Sequence, residues 1–305
     1  MDKINCDASL FKGVFAATLI PMRDDLACDD KELAAHCHEL LARGCRGIAL
    51  FGTTGEGASF PVEEKIRVMN TLIASGISPQ CLILGICACA IEDAVQLAQA
   101  SCQANCLATL VLPPFFYKKV QDVGVIAFYR EMIQRVNHPA LRLILYHMPQ
   151  YSGVPLNRVV IETLRNEFHD IIMGIKDSEG NLALVQDILQ HCPGMKVFAA
   201  REHLVSESIQ LGATGVISGM ANVFPELLGS LYEYGMNQQY PNHNSEVSRI
   251  LEILKDYPIF AALKCILAHQ KGKKKELWDV LRPPLVPLNS LLSQSLLDAL
   301  KNKTM

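Results

Sequence analysis

Leu141-Arg-Leu-Ile-Leu-Tyr-His147 and, after a segment of helical period, Ile171-Ile-Met-Gly-Ile-Lys176 are the stretch that decides the fold. Each run is short, apolar and near the length of a strand buried on both faces, and each leads into a loop rich in turn residues. Working outward, the pattern recurs at 13–20, 46–51, 81–86, 107–112, 195–200 and 214–218, eight runs in all. Helical segments separate them, with recognisable boundaries: Asp29 or Asp30 before a helix through Leu41, Gly44 as its stop, Pro61 with Glu63 and Glu64 in a first turn, and Pro155 opening another. Eight β/α repeats predict an α/β fold, a closed (β/α)8 TIM barrel over residues 1–230. A doubly wound open sheet is the alternative. Beyond Leu231 strand signals stop, and helical patterns near 247–255, 260–269 and 291–301 predict a C-terminal helical domain over residues 231–305.

Composition limits the partners. Of 305 residues half are apolar and 19% charged, and 28 basic against 31 acidic side chains leave a net charge of −3, which argues against disorder and against a nucleic-acid binder. The cluster Lys271-Gly-Lys-Lys-Lys275 reads as a solvated loop, since no aromatic residues interleave it. The longest uncharged apolar run, 81–91, is too short to span a membrane. Pro21, Asp24 and Asp25 disfavour a signal sequence at 13–22. The eleven cysteines lie in apolar runs and read as reduced, buried thiols of a cytoplasmic protein.

In such a barrel the reactive groups sit at the carboxyl ends of the strands. Lys176 ends an otherwise apolar run, and burial there favours the neutral amine, which can attack a ketone to form a Schiff base. The resulting iminium withdraws electrons from the neighbouring carbon and makes C–C cleavage or formation accessible. The competing readings are a lysine that reaches the rim or pairs with Asp177. Gly52-Thr53-Thr54-Gly55-Glu56-Gly57 offers two hydroxyls and backbone N–H groups suited to a carboxylate, or else a tight connection that needs glycine dihedrals. Tyr146 could relay protons or sit as a core tyrosine. No zinc, serine-hydrolase or dinucleotide motif is present, so neither a metal nor a cofactor is expected.

These residues resemble the pyruvate-dependent class I aldolases and synthases typified by dihydrodipicolinate synthase and N-acetylneuraminate lyase. The resemblance spans nearly the whole chain through Gly-Val-Phe-Ala-Ala-Thr18, Gly-Thr-Thr-Gly-Glu56, Leu-Pro-Pro-Phe-Phe-Tyr117, Tyr146-His-Met-Pro, Gly-Ile-Lys176-Asp-Ser and Gly-Val-Ile-Ser-Gly-Met-Ala-Asn222. It implies Lys176 as the Schiff-base lysine and Tyr146 as the proton relay. Thr53 and Thr54 become the hydroxyl pair at the pyruvate carboxylate, and Ile217 a backbone contact to the same ligand. It further implies a barrel with a C-terminal helical domain, assembled as a homotetramer or homodimer, acting on a 2-oxo acid and an aldehyde.

Three departures bear on the substrate. Phe116, with Tyr117 one position later, fills the slot of a tyrosine that reaches a neighbouring subunit's site in the lysine-pathway synthase. Tyr151 stands where that synthase has a carboxylate-binding arginine, two residues before the glycine matching Gly153, and a phenol cannot replace a guanidinium fork. Ala200 occupies a usual glycine slot. Together they favour an aldolase or lyase acting on another 2-oxo acid over condensation of pyruvate with aspartate semialdehyde. Arg201, Glu202 and His203 are candidate contacts to the distal part of a substrate or else an ordinary helix entry, and a non-catalytic barrel scaffold is the remote alternative.

Overall fold

A computed structural model describes residues 8–272 and 275–301. Its eight strands are β1 Gly13–Ala17, β2 Gly47–Leu50, β3 Leu82–Ile86, β4 Ala108–Val111, β5 Leu143–His147, β6 Ile172–Asp177, β7 Lys196–Ala199 and β8 Gly215–Ser218. All pair in parallel and in sequence order, and β8 closes onto β1, so the sheet is the expected closed barrel and not an open one. Seven of the eight apolar runs contain their strands, trimmed by one to three residues, whereas β6 extends beyond Lys176 to include Asp177.

The helices between strands are α1 Asp30–Ala42, α2 Val62–Ala74, α3 Ile91–Gln103, α4 Asp122–Val136, the single turn α5 Pro149–Ser152, α6 Arg158–Glu167, α7 Leu182–His191, α8 Val205–Gln210 and α9 Pro225–Met236. Asp29 caps α1 by accepting the Glu32 N–H at 2.8 Å. Pro155 does not open α6, because Asn157 is its cap: the Asn157 carboxamide accepts the Val160 N–H at 3.1 Å, leaving Pro155 in the preceding loop.

The barrel interior is a packed core. Phe15 meets Phe198 edge-on at 5.9 Å, with Ala49, Ile83, Leu110, Ile144 and Ile217 stacked among them. A second core lies between the strands and the outer helices. It runs without interruption into α10 Asn244–Leu254, α11 Ile259–Lys271 and α13 Ser290–Lys301, which follow α9, with the turn α12 Lys275–Trp278 between the last two. The sequence-derived division at 230/231 falls inside α9. Within the Lys271–Lys275 cluster, Lys273 and Lys274 lie outside the described residues, while Lys271 pairs with Glu39 at 2.5 Å.

The carboxyl-terminal segment is fastened to the barrel by buried groups. Trp278 is fully buried, its indole N–H donating to Glu32 at 3.1 Å and its ring meeting His36 at 4.8 Å. Burial of an indole is worth about 4–6 kcal/mol. His36 Nε2 lies 3.1 Å from Asn222 Oδ1, which also receives the Leu19 N–H, while the Asn222 amide donates to Ala17 and Gly219. One asparagine thus ties the end of β1 to the end of β8.

Burial pushes the His36 imidazole down to about 4, against its ordinary 6.5. Between these values the unfolded chain binds a proton that the folded chain does not, so stability is complete above pH 6.5 and falls as pH drops toward 4, by about 3 kcal/mol in total. We expect His36→Gln to flatten the pH dependence of urea unfolding midpoints across that window. An unchanged slope would show that His36 does not govern it.

Candidate active site

Lys176 and Tyr146 are brought together by strand register. Leu143 pairs with Ile172 but Ile144 pairs with Gly174, so β6 accommodates one extra residue, Met173, and Tyr146 comes level with Lys176. Both side chains face the barrel interior and are nearly inaccessible. Lys176 Nζ lies 3.4 Å from the Tyr146 hydroxyl and 4.4 Å from the centre of its ring. Asp177 is not its partner, since that carboxylate turns the other way and accepts the backbone N–H groups of Glu179, Gly180 and Asn181. No carboxylate pairs with Lys176 among the described residues. Both competing readings, a rim lysine and an Asp177 pair, are thereby removed.

The strand-two loop completes the centre. Thr53 Oγ1 is 3.0 Å from the Tyr146 hydroxyl, so lysine, phenol and threonine form a short relay. Met148 Sδ takes the Tyr146 hydroxyl at 2.9 Å. The loop turns differently from the expected glycine-driven turn: the left-handed residues are Phe51 and Glu56, both at φ +53°. Gly57 is required for space, because a Cβ there would lie 1.7 Å from the Phe51 carbonyl oxygen. The N–H groups of Glu56 and Gly57 are occupied within the loop by Thr53 and Gly52, which makes the threonine hydroxyls its main offering to a ligand.

A cavity of about 170 Å³ opens above Lys176, and Tyr146, Thr54, Ile217, Ala200 and Tyr151 line it. Wider hollows of about 510 and 520 Å³ lie on the outer wall beside α6 and α7 and at the opposite end of the barrel, and Lys176 lines neither. Arg201 and Glu202 reach the cavity, and Glu202 accepts the Ser218 hydroxyl at 2.5 Å. Thr53, whose hydroxyl meets the Tyr146 hydroxyl and Met148 Sδ, and His203 do not line it. Neither does Tyr117, which stands 72% exposed with its ring edge-on to Phe116 at 5.2 Å.

Sequence reasoning missed two groups of lining residues. Met148 carried a usable signal: it lies two positions after Tyr146 and so shares its face. Leu251, Ile259, Phe260 and Leu263 come from α10 and α11 and roof the cavity, with the Phe260 ring 6.0 Å from that of Tyr151. Nothing in their local sequence marks them, since only the return of the chain over the barrel brings them there.

Comparison with known proteins gives the family and the fold. The sequence model of the dihydrodipicolinate synthetase family matches residues 10–303. A DapA-like lyase of Chloroflexus aurantiacus is 28% identical over 281 residues, 92% of either chain. A 4-hydroxy-tetrahydrodipicolinate synthase of Acidithiobacillus ferrooxidans is 27% identical over 301 residues, 96% of this chain and 98% of its own. The crystal structure of dihydrodipicolinate synthase from Agrobacterium tumefaciens superposes with a TM-score of 0.89 at 26% identity, covering 96% of this chain and 99% of that one. A prophage protein of E. coli K12, crystallised with pyruvate, shares the fold with a TM-score of 0.86 at 20% identity, over 96% of this chain and 98% of that one.

Proposed function

The chain belongs to the dihydrodipicolinate synthetase family, an enzyme family of lyases and aldolases, and from that membership we propose that Lys176 carries the pyruvate imine of its reaction. The observation that carries this reading is a buried amine with no carboxylate partner among the described residues, 3.4 Å from a phenol hydroxyl. The neutral Nζ attacks the ketone carbon of the 2-oxo acid to give a carbinolamine. Its hydroxyl leaves as water after taking a proton through Tyr146, which Thr53 can resupply across 3.0 Å. The iminium then draws electrons from the adjacent carbon, so that the bond to an aldehyde carbon forms or breaks. Thr53 and Thr54 receive the carboxylate, with Ile217 as the backbone contact.

We further infer that the aldehyde partner is not aspartate semialdehyde. Tyr151 lines the cavity where the resemblance implies a carboxylate-binding arginine, and a neutral phenol packed toward Phe260 supplies no charge there. The second reading, 4-hydroxy-tetrahydrodipicolinate synthesis, draws support from relatives that bear that name. The enzyme works in the cytoplasm, a placement supported by the buried thiols, eight of the ten described cysteines. Among the described residues no helix is long and apolar enough to cross a membrane. Assembly as a homotetramer or homodimer is supported by the exposed Phe116, Tyr117 and Val123, and within such an assembly Tyr117 would contact substrate only in a neighbouring subunit.

Borohydride reduction in the presence of pyruvate should place the adduct on Lys176 by peptide mass spectrometry. Absence of an adduct in folded protein at saturating pyruvate would falsify the imine reading. Tyr146→Phe should slow turnover by about 10²- to 10⁴-fold without unfolding the protein, as loss of a proton relay does, and equal rates would remove that role. Measured kcat/KM values for pyruvate plus aspartate semialdehyde should fall below those for cleavage of the best 2-oxo acid substrate, and Tyr151→Arg should raise the former. Efficient synthesis by the parent enzyme, ahead of every cleavage substrate, would make the second reading correct.

A further inference from the structure

A buried charge pair sits directly behind the site and takes no part in the chemistry just described. Glu56, in the strand-two loop, and Lys264, on α11, have fully buried side chains and pair at 2.6 Å. The second Glu56 oxygen accepts the Arg282 N–H at 2.8 Å, and Lys264 also donates to the Val280 carbonyl. Glu56 itself is held left-handed, a conformation that disfavours side chains with a Cβ and persists only where surroundings enforce it. Two positions before it stands Thr54, packed so closely on β8 that a Cβ on Gly219 would meet its side chain at 2.9 Å. Leu263, adjacent to Lys264, lines the cavity.

An apolar pair of similar volume would hold two elements together as well as a buried ion pair, so stability alone does not call for charges here. Ions differ in fixing one geometry, because misplacing either leaves an unpaired charge in an apolar setting. Burial pulls the Lys264 ammonium below its ordinary range, and the Glu56 carboxylate opposes that pull. We propose that Glu56 and Lys264 are positioning residues for the carboxylate of the 2-oxo acid: their ion pair locks the strand-two loop so that the hydroxyls of Thr53 and Thr54 are aimed at the ligand held on Lys176. This role rests on the imine reading above. It makes the carboxyl-terminal helices part of the recognition machinery, since α11 supplies both a wall of the cavity and the counter-ion that sets the loop.

The test compares pyruvate with pyruvamide, which presents the same ketone without the negative charge, by the concentration dependence of borohydride-trapped adduct on Lys176. In the double variant Glu56→Gln with Lys264→Met, no unpaired charge is left behind. The half-saturating pyruvate concentration should rise about tenfold, the usual effect of misaligning one hydrogen bond to a charged group, while that for pyruvamide and the yield at saturation stay as in the parent. Glu56→Asp, which keeps the charge but withdraws it by one methylene, should show a smaller loss of the same preference, and it decides the matter if the double variant does not fold. A preference equal to the parent's in the folded variant, or an equal loss for both ligands, overturns the positioning role and leaves the pair a purely structural tie. A parent protein that traps both ligands equally well overturns it too. No adduct in the parent at all is a different result, for it removes the imine reading and this role with it.

Discussion

Closure of eight parallel strands into one ring is the constraint on which everything else rests. A closed sheet has no edge, so each strand is held on both sides and its inward and outward residues alternate in a fixed way. Registers around the ring must then agree, and a local adjustment is transmitted to the strand ends. The register shift at Met173 is such an adjustment: were Met173 itself paired with Ile144, Ile175 would sit opposite Tyr146, and Lys176 would fall beside His147. The His147 ring lies on the outer side, accepting the Leu156 N–H at 3.0 Å and lying 3.3 Å from Glu179. A single bulge therefore decides that amine and phenol share the interior.

The interior position also explains the chemistry. A lysine at a solvated rim would be fully hydrated, whereas Lys176 is nearly inaccessible beside Tyr146, with no carboxylate paired to it among the described residues. Asp177, the next residue, contributes by being elsewhere, since its carboxylate organises the loop into α7 through three backbone N–H groups. Alternation along the strand separates the two neighbours, the amine inward and the carboxylate outward.

The mouth of the barrel is finished by the returning carboxyl-terminal segment. Arg282 reaches the carbonyls of Leu26 and Ser59 and the carboxylate of Glu64, and its guanidinium stacks 3.6 Å from the centre of the Phe60 ring. Two loops at the barrel mouth and the first turn of α2 are stitched by that one side chain, while Trp278 fastens the same segment to α1. The helices thus share the barrel's core and close its cavity, so the chain's two compositional halves act on one site.

Much of this was legible in the residues alone. Short apolar runs alternating with helical period specify a parallel β/α architecture because period and run length record burial directly, and a lysine ending such a run is conspicuous because charge is costly there. The sequence by itself determined the barrel, the approximate places of its strands, and the lysine, tyrosine and threonines that gather at its mouth. Tertiary structure alone decided that the shift at Met173 sets the register of Lys176, that Glu56 is held by Lys264, that Tyr117 stands exposed outside this chain's cavity, and that Phe260 and Leu263 roof it. The physical reason is distance along the chain: periodicity reports which face of its own element a residue occupies, but a register shift, a salt bridge between residues far apart in sequence or a roof of returning helices exists only once the ring has closed.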